Sequence, residues 1–127
     1  MLLENGPFVF VTNTTTIKLN DFAWNKKANV LYLESPGGVG FSKSFRNNNF
    51  TYTDPTTTED NYKALTDFFR KFPNLKKNDF YISGESYAGI YVPYLANEIL
   101  EKNKLPNTEV KINLKGILVG NACTDPR

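Results

Sequence analysis

Short apolar runs alternate along the chain with two longer stretches of helical spacing. Phe8-Val9-Phe10-Val11, behind Gly6-Pro7, predicts a short strand. Asn29-Val30-Leu31-Tyr32-Leu33 is apolar nearly throughout and predicts a strand buried on both faces. Ser35-Pro36-Gly37-Gly38-Val39-Gly40 stops it with a tight loop. From Thr56 the period changes: Tyr62, Leu65, Phe68, Phe69 and Phe72 share one helical face. Thr56 with Glu59 predicts a capping box at that helix's start, and Pro73 closes it. Asp79 to Ser83 predicts a strand leading into a turn at Ser86. A second helix follows over Tyr87 to Asn103, with Ile90, Tyr94, Leu95 and Ile99 inward and Pro93 bending its second turn. Leu114-Lys115-Gly116-Ile117-Leu118-Val119-Gly120 predicts another buried strand. Residues 12–16 and 47–49 read as surface loops.

Strand, helix, strand, helix, strand implies an α/β fold: a mostly parallel sheet with helices on its faces. A parallel sheet of so few strands leaves an edge open. The expectation is therefore a partial domain over residues 1–127. Hydrophobic content of 40% and aromatic content of 14% suit a packed core rather than a disordered tail.

Charge narrows the partner classes. The net charge of +2 is spread along the chain, so the Lys26-Lys27 and Lys76-Lys77 pairs read as solvated loop charges and nucleic acid is not an expected partner. The chain has no apolar run long enough for a membrane span, and Met1-Leu2-Leu3-Glu4 is too short and too quickly acidic for a signal peptide. Cys123 has no second cysteine to pair with, so it is a free thiol or half of a bridge to another chain segment. Asn13-Thr14-Thr15 and Asn49-Phe50-Thr51 are weak glycosylation signals for Asn13 and Asn49. No residue cluster predicts a metal or a cofactor; Pro36 and the missing third glycine speak against a dinucleotide loop at residues 35–40.

The chemistry concentrates at Ser83-Gly84-Glu85-Ser86-Tyr87-Ala88-Gly89. A serine between small residues at a strand-to-helix turn is how an α/β-hydrolase exposes its nucleophile, because only small side chains fit at the positions two before and two after it, here Gly84 and Ala88. An isolated Gly-x-Ser-x-Ala match is a weak signal, since a turn or cap serine can produce it; the strand before and helix after supply the context it requires. The amide of Tyr87 would then face a developing oxyanion. Glu85 repels an oxyanion, which is of no use to a plain esterase. A protonated glutamic acid can, however, donate a hydrogen bond to a substrate carboxylate, given burial or a neighbouring carboxylate such as Glu4. Against a complete machine stands the total absence of histidine, the usual base for a serine nucleophile.

These residues resemble the serine carboxypeptidase family of the α/β-hydrolase fold along essentially the whole chain. Gly84-Glu85-Ser86-Tyr87-Ala88-Gly89 is similar to its nucleophile signature, and Glu4-Asn5-Gly6-Pro7-Phe8 to its Glu-x-Gly-Pro segment. Trp24, followed by Asn29 through Ser42, resembles its Trp…Asn-Val-Leu-Tyr-Leu-Glu-Ser-Pro-x-Gly-Val-Gly-Phe-Ser block. Tyr91-Val92-Pro93 and Gly120 through Pro126 are similar to later segments. The resemblance implies release of single residues from peptide or protein C-termini, with acid preference, in vacuoles, lysosomes or secretions. It implies Ser86 as nucleophile, the Tyr87 amide as half of the oxyanion hole, and Glu85, with Glu4 behind it, as receptor of the terminal carboxylate.

The departures are as informative. The family's Asn-Gly-Gly-Pro-Gly segment and its catalytic aspartate and histidine have no counterpart in these residues, and Asp125 belongs to the Thr-Asp-Pro segment instead. The chain by itself is therefore expected to be inactive, an internal segment of a larger enzyme. A non-catalytic half-sheet or pseudoenzyme, and an acyltransferase of the same fold, are the alternative readings. Oligomeric state is not legible.

Overall fold

In the computed structural model, which describes residues 4–11, 14–44 and 51–125, the first helix begins one turn earlier than its sequence suggests. Thr53 is extended (φ −119°, ψ 164°) and caps helix α1, Asp54–Lys71. Thr53 Oγ1 accepts from the Thr56 amide at 3.4 Å, and Thr56 Oγ1 accepts from the Thr53 amide at 2.9 Å. This reciprocal box replaces the expected Thr56–Glu59 pair. Pro55 explains the shift: its fixed φ suits the first helical turn, so the helix starts before Thr56. Phe72 leaves the helical region (φ −123°, ψ 64°), and Pro73 follows it.

The chain divides into two compact units, Met1–Leu33 and Glu34–Arg127. In the second unit, β3 (Phe80–Glu85) runs into α2 (Ala88–Lys104) and returns as β4 (Leu114–Gly120). The two strands pair in parallel, Ile82 against Ile117 and Glu85 against Gly120. Leu65 and Phe69 of α1, Ile82 of β3, Val92, Leu95, Ala96 and Ile99 of α2, and Val110 and Ile112 form one buried cluster. Ile99, with no exposed surface, sits at its centre. Burying a side chain of this size stabilises by about 1.5–3 kcal/mol. Asn103 ties the end of α2 to the approach to β4. Its Nδ2 donates to the Ile112 carbonyl at 2.8 Å, and its Oδ1 accepts from the Ile112 amide at 3.0 Å.

Three apolar expectations in this unit are corrected. Phe72 and Tyr94 are about half exposed rather than inward: Phe72 has already left the helix, and Tyr94 lies beside rather than on the Val92–Leu95–Ala96–Ile99 stripe. β4 is not buried on both faces either, since Ile117 and Leu118 are 45% and 50% exposed. For Leu118 the reason is layering: helices cover the Ile82 side of the pair, while Leu118 shares the exposed side with Tyr81. Ile117 lies on the Ile82 side, but β4 pairs only with β3 among the described residues, so its outer edge is open.

In the first unit, β1 (Phe8–Phe10) pairs antiparallel with β2 (Ile17–Leu19), Phe8 opposite Leu19 and Phe10 opposite Ile17. The sequence reading missed β2, whose three residues show no period of their own. The larger correction is Asn29–Leu33. It makes no strand among the described residues, and Leu31, Tyr32 and Leu33 are partly exposed. An apolar run becomes a central strand only where partners flank it, and among the described residues of the first unit only β1 and β2 pair. Order here comes from Asn20, a buried polar residue. Its Nδ2 donates to the carbonyls of Glu4 (3.0 Å) and Gly6 (2.9 Å), and its Oδ1 accepts from the Phe22 amide (3.0 Å).

Candidate active site

The turn between β3 and α2 is tight because backbone meets backbone there. Ser86 has φ 59°, in the left-handed region that a non-glycine residue rarely occupies. Neighbouring hydrogen bonds hold it: the Ser86 amide donates to the Gly120 carbonyl at 3.0 Å, extending the parallel ladder by one rung. The Ser86 carbonyl accepts from the amides of Gly89 and Cys123, both at 2.9 Å. The segment after β4, with Asn121 at φ 43°, thus clamps the turn from below.

Two glycines are required by close approach. A Cβ on Gly84 would lie 2.3 Å from the Ala88 Cβ, and one on Gly89 would lie 2.4 Å from the Cys123 carbonyl oxygen. The expectation that small residues must stand on either side of the serine therefore holds at Gly84 and Ala88, and Gly89 adds a third position. The clamp by Gly120 and Cys123 was not legible. Asn121-Ala122-Cys123 carries no periodic signal, and its role arises only when β4 returns beside β3.

Glu85, Ser86 and Tyr87 are consecutive and solvent-accessible at this turn. The first amides of an α-helix lack partners within it and carry the positive end of its dipole, and Tyr87 is the N-cap residue at that end of α2. The Tyr87 hydroxyl donates to both carboxylate oxygens of Asp54, at 3.4 and 3.3 Å, and its ring meets Tyr91 edge-on at 4.9 Å. Partial desolvation first, then the Asp54 carboxylate, raise the Tyr87 phenol above its usual range, so it stays a neutral donor. Asp54 was missed by the sequence reading. Its signal was an acidic residue in a helix's first turn, which dipole complementarity alone accounts for.

Glu4 lies in the first unit, exposed, on a turn that Asn20 holds through the Glu4 carbonyl. Cys123 is a partly buried free thiol. Asn13 and Asn49 fall outside the described residues. No group of histidine, cysteine, aspartate and glutamate side chains among the described residues could hold a metal ion. No helix there is long and apolar enough to cross a membrane. A shallow cleft of about 270 Å³ between α1, α2 and residues 108–110 includes Arg70, Glu98, Lys102 and Glu109 in its lining. Arg70 grips Glu109 at 2.6 Å and Lys102 faces Glu98 at 3.4 Å, so its charges answer one another rather than a ligand.

A strained serine at a strand-to-helix elbow, framed by glycines and an α/β layer, has the form of the serine turn of an α/β-hydrolase fold. The serine carboxypeptidase family model matches residues 1–127, and the chain belongs to that family. It is 50% identical over 123 residues to serine carboxypeptidase-like 32 of Arabidopsis thaliana, covering 95% of this chain and 27% of the relative. The venom serine carboxypeptidase of Apis mellifera is 43% identical over 126 residues, 99% of this chain and 26% of the relative. The lysosomal protective protein of Mus musculus is 46% identical over 121 residues, 95% and 24%. Among solved structures, Kex1(delta)p, a prohormone-processing carboxypeptidase from Saccharomyces cerevisiae, superposes with a TM-score of 0.82 at 32% identity, covering 95% of this chain and 26% of that one. The chain thus spans about a quarter of the length of these relatives.

Proposed function

We propose that the chain is the nucleophile-bearing part of a serine carboxypeptidase that removes residues from peptide or protein C-termini. Ser86 Oγ adds to the scissile carbonyl carbon, and its proton passes to a base supplied by a part of the enzyme outside these residues. The resulting oxyanion faces the Tyr87 amide at the N-terminus of α2. Collapse expels the terminal amino acid and leaves an ester on Ser86, which water cleaves to free the shortened peptide and the serine. Glu85 receives the substrate's terminal carboxylate. The family membership supports these roles, and the names of the lysosomal and venom relatives support a lysosomal or secreted setting.

One observation carries the reading: Ser86 is held at φ 59° by three backbone hydrogen bonds, to Gly120, Gly89 and Cys123. The test is labelling with a phosphonofluoridate in the whole enzyme. Ser86 is the expected labelled residue, and Ser86→Ala is expected to lose both the label and C-terminal trimming of a test peptide. Retention of either in that variant refutes the assignment. The 127-residue chain alone is expected to show no turnover, because it holds no imidazole.

A further inference from the structure

The residue that offers the oxyanion donor is itself tethered by its side chain, and the tether ends on a helix that takes no part in the turn. Tyr87 caps α2, and its ring rests edge-on against Tyr91 one turn further along the same helix. Its hydroxyl reaches across to α1 and bridges both oxygens of Asp54 at 3.4 and 3.3 Å. Asp54 is well anchored for this. It lies inside the Thr53–Thr56 capping box, precedes Pro55 in the first turn, and its carbonyl accepts from Thr58 Oγ1 at 2.7 Å. Its charge sits at the helix end where the dipole favours an anion.

We propose that Asp54 is a positioning residue for the Ser86 site: by holding the Tyr87 hydroxyl from α1, it fixes the Tyr87 Cα and hence the amide that receives the oxyanion. The inference rests on the Ser86 assignment above. Its physical basis is the narrow working range of an oxyanion donor, about 2.7–3.1 Å from the charged oxygen. The amide nitrogen is one bond from the Cα that carries the ring, so slack at the ring becomes slack at the donor. Stability does not require this bond. Tyr87 is 39% exposed, and a long hydrogen bond at the surface adds little to folding. Its effect therefore belongs to the barrier rather than to the fold. The raised phenol of Tyr87 is consistent with this, because the hydroxyl keeps its proton to donate.

The test uses Asp54→Ala, Asp54→Asn, Tyr87→Phe and the double variant Asp54→Ala/Tyr87→Phe in the whole enzyme, with kcat and KM measured on one peptide. Asp54→Ala and Tyr87→Phe are each expected to lower kcat by roughly tenfold with KM nearly unchanged, the scale expected of a sub-ångström misplacement. The double variant is expected to be no worse than either single one, since all three break the same bond. Asp54→Asn keeps an acceptor oxygen and is expected to restore most of the rate. Unchanged kcat in Asp54→Ala, multiplying losses in the double variant, or no rescue by Asp54→Asn each overturns the proposal. If Asp54→Ala does not fold, Tyr87→Phe, which removes one accessible hydroxyl, decides alone: unchanged kcat overturns the inference. A wild-type enzyme that takes no phosphonate on Ser86 removes the underlying assignment and this inference together, an outcome the labelling separates from failure of the tether.

Discussion

The two units of this chain hold themselves together by opposite means. In residues 34–127 a buried apolar cluster spans two helices and a strand, with Ile99 fully buried in it, and the Ser86 turn joins that strand to one of those helices. In residues 1–33 the large apolar side chains stay out: Leu19 is 72% exposed and Phe22 89% exposed. What orders that unit is a three-rung hairpin and the hydrogen bonds of one buried asparagine. One unit is therefore expected to tolerate polar change and to be sensitive to lost volume, and the other the reverse. Placing Ser86 on the first kind of body follows from its strain, since a left-handed serine persists only where its surroundings over-determine it.

Perturbations sharpen this contrast, and the largest is expected at the turn itself. Gly89→Ala in the whole enzyme puts a methyl group on the Cys123 carbonyl. The clamp must open, with a loss in kcat/KM of about a hundredfold or more from misplacing Ser86. Activity within a factor of two of wild type would mean that the contact relaxes freely. Next comes Ile99→Ala, expected to cost about 2–5 kcal/mol in a denaturant titration through transfer loss and a cavity. Asn20→Ala is expected to cost less, about 1–3 kcal/mol, by leaving the carbonyls of Glu4 and Gly6 without their donor. Its signature is local: amide exchange should quicken in residues 4–24 and stay unchanged in α2. Uniform quickening in both units would erase the distinction drawn between them.

The smallest effect concerns pH. Arg70 holds Glu109 with two hydrogen bonds and lowers its carboxyl below the ordinary 4.5. A lowered folded-state value means that the contribution is present above the unfolded value and fades as pH falls through the folded one. Both side chains are exposed, so solvent screens the pair heavily. Glu109→Gln is expected to leave thermal stability nearly unchanged at neutral pH and to flatten its decline slightly below pH 4.5. A large drop at neutral pH would show that the bridge pins α1 to residues 108–110 far more firmly than its exposure suggests.

Legibility followed the range of the signal. Both helices were readable because an apolar stripe repeated over about three turns outweighs local detail, yet the cap of α1 shifted by a turn once Pro55 was accommodated. β3 was readable from Phe80-Tyr81-Ile82, and the tight turn after it from the small residues around Ser86. Asn29–Leu33 was misread for the same reason that β3 was read: composition proposes a strand, but only a neighbour makes one. β2 went unseen because three residues carry too little pattern. Asp54 and Cys123 went unseen because their partners lie 33 and 37 positions away, counted to Tyr87 and Ser86.

By itself, then, the sequence determined the identities at the turn and their family: a serine flanked by Gly84, Ala88 and Gly89, a preceding strand, a following helix, and no imidazole. These are local or compositional properties, and local sterics suffice to read them. The tertiary structure decided which face of the sheet is covered, that the Gly120–Cys123 segment locks the serine, and that α1 reaches Tyr87 through Asp54. Such contacts join residues distant in sequence. They depend on where the parallel crossover returns the chain, a geometry that no window of the sequence contains.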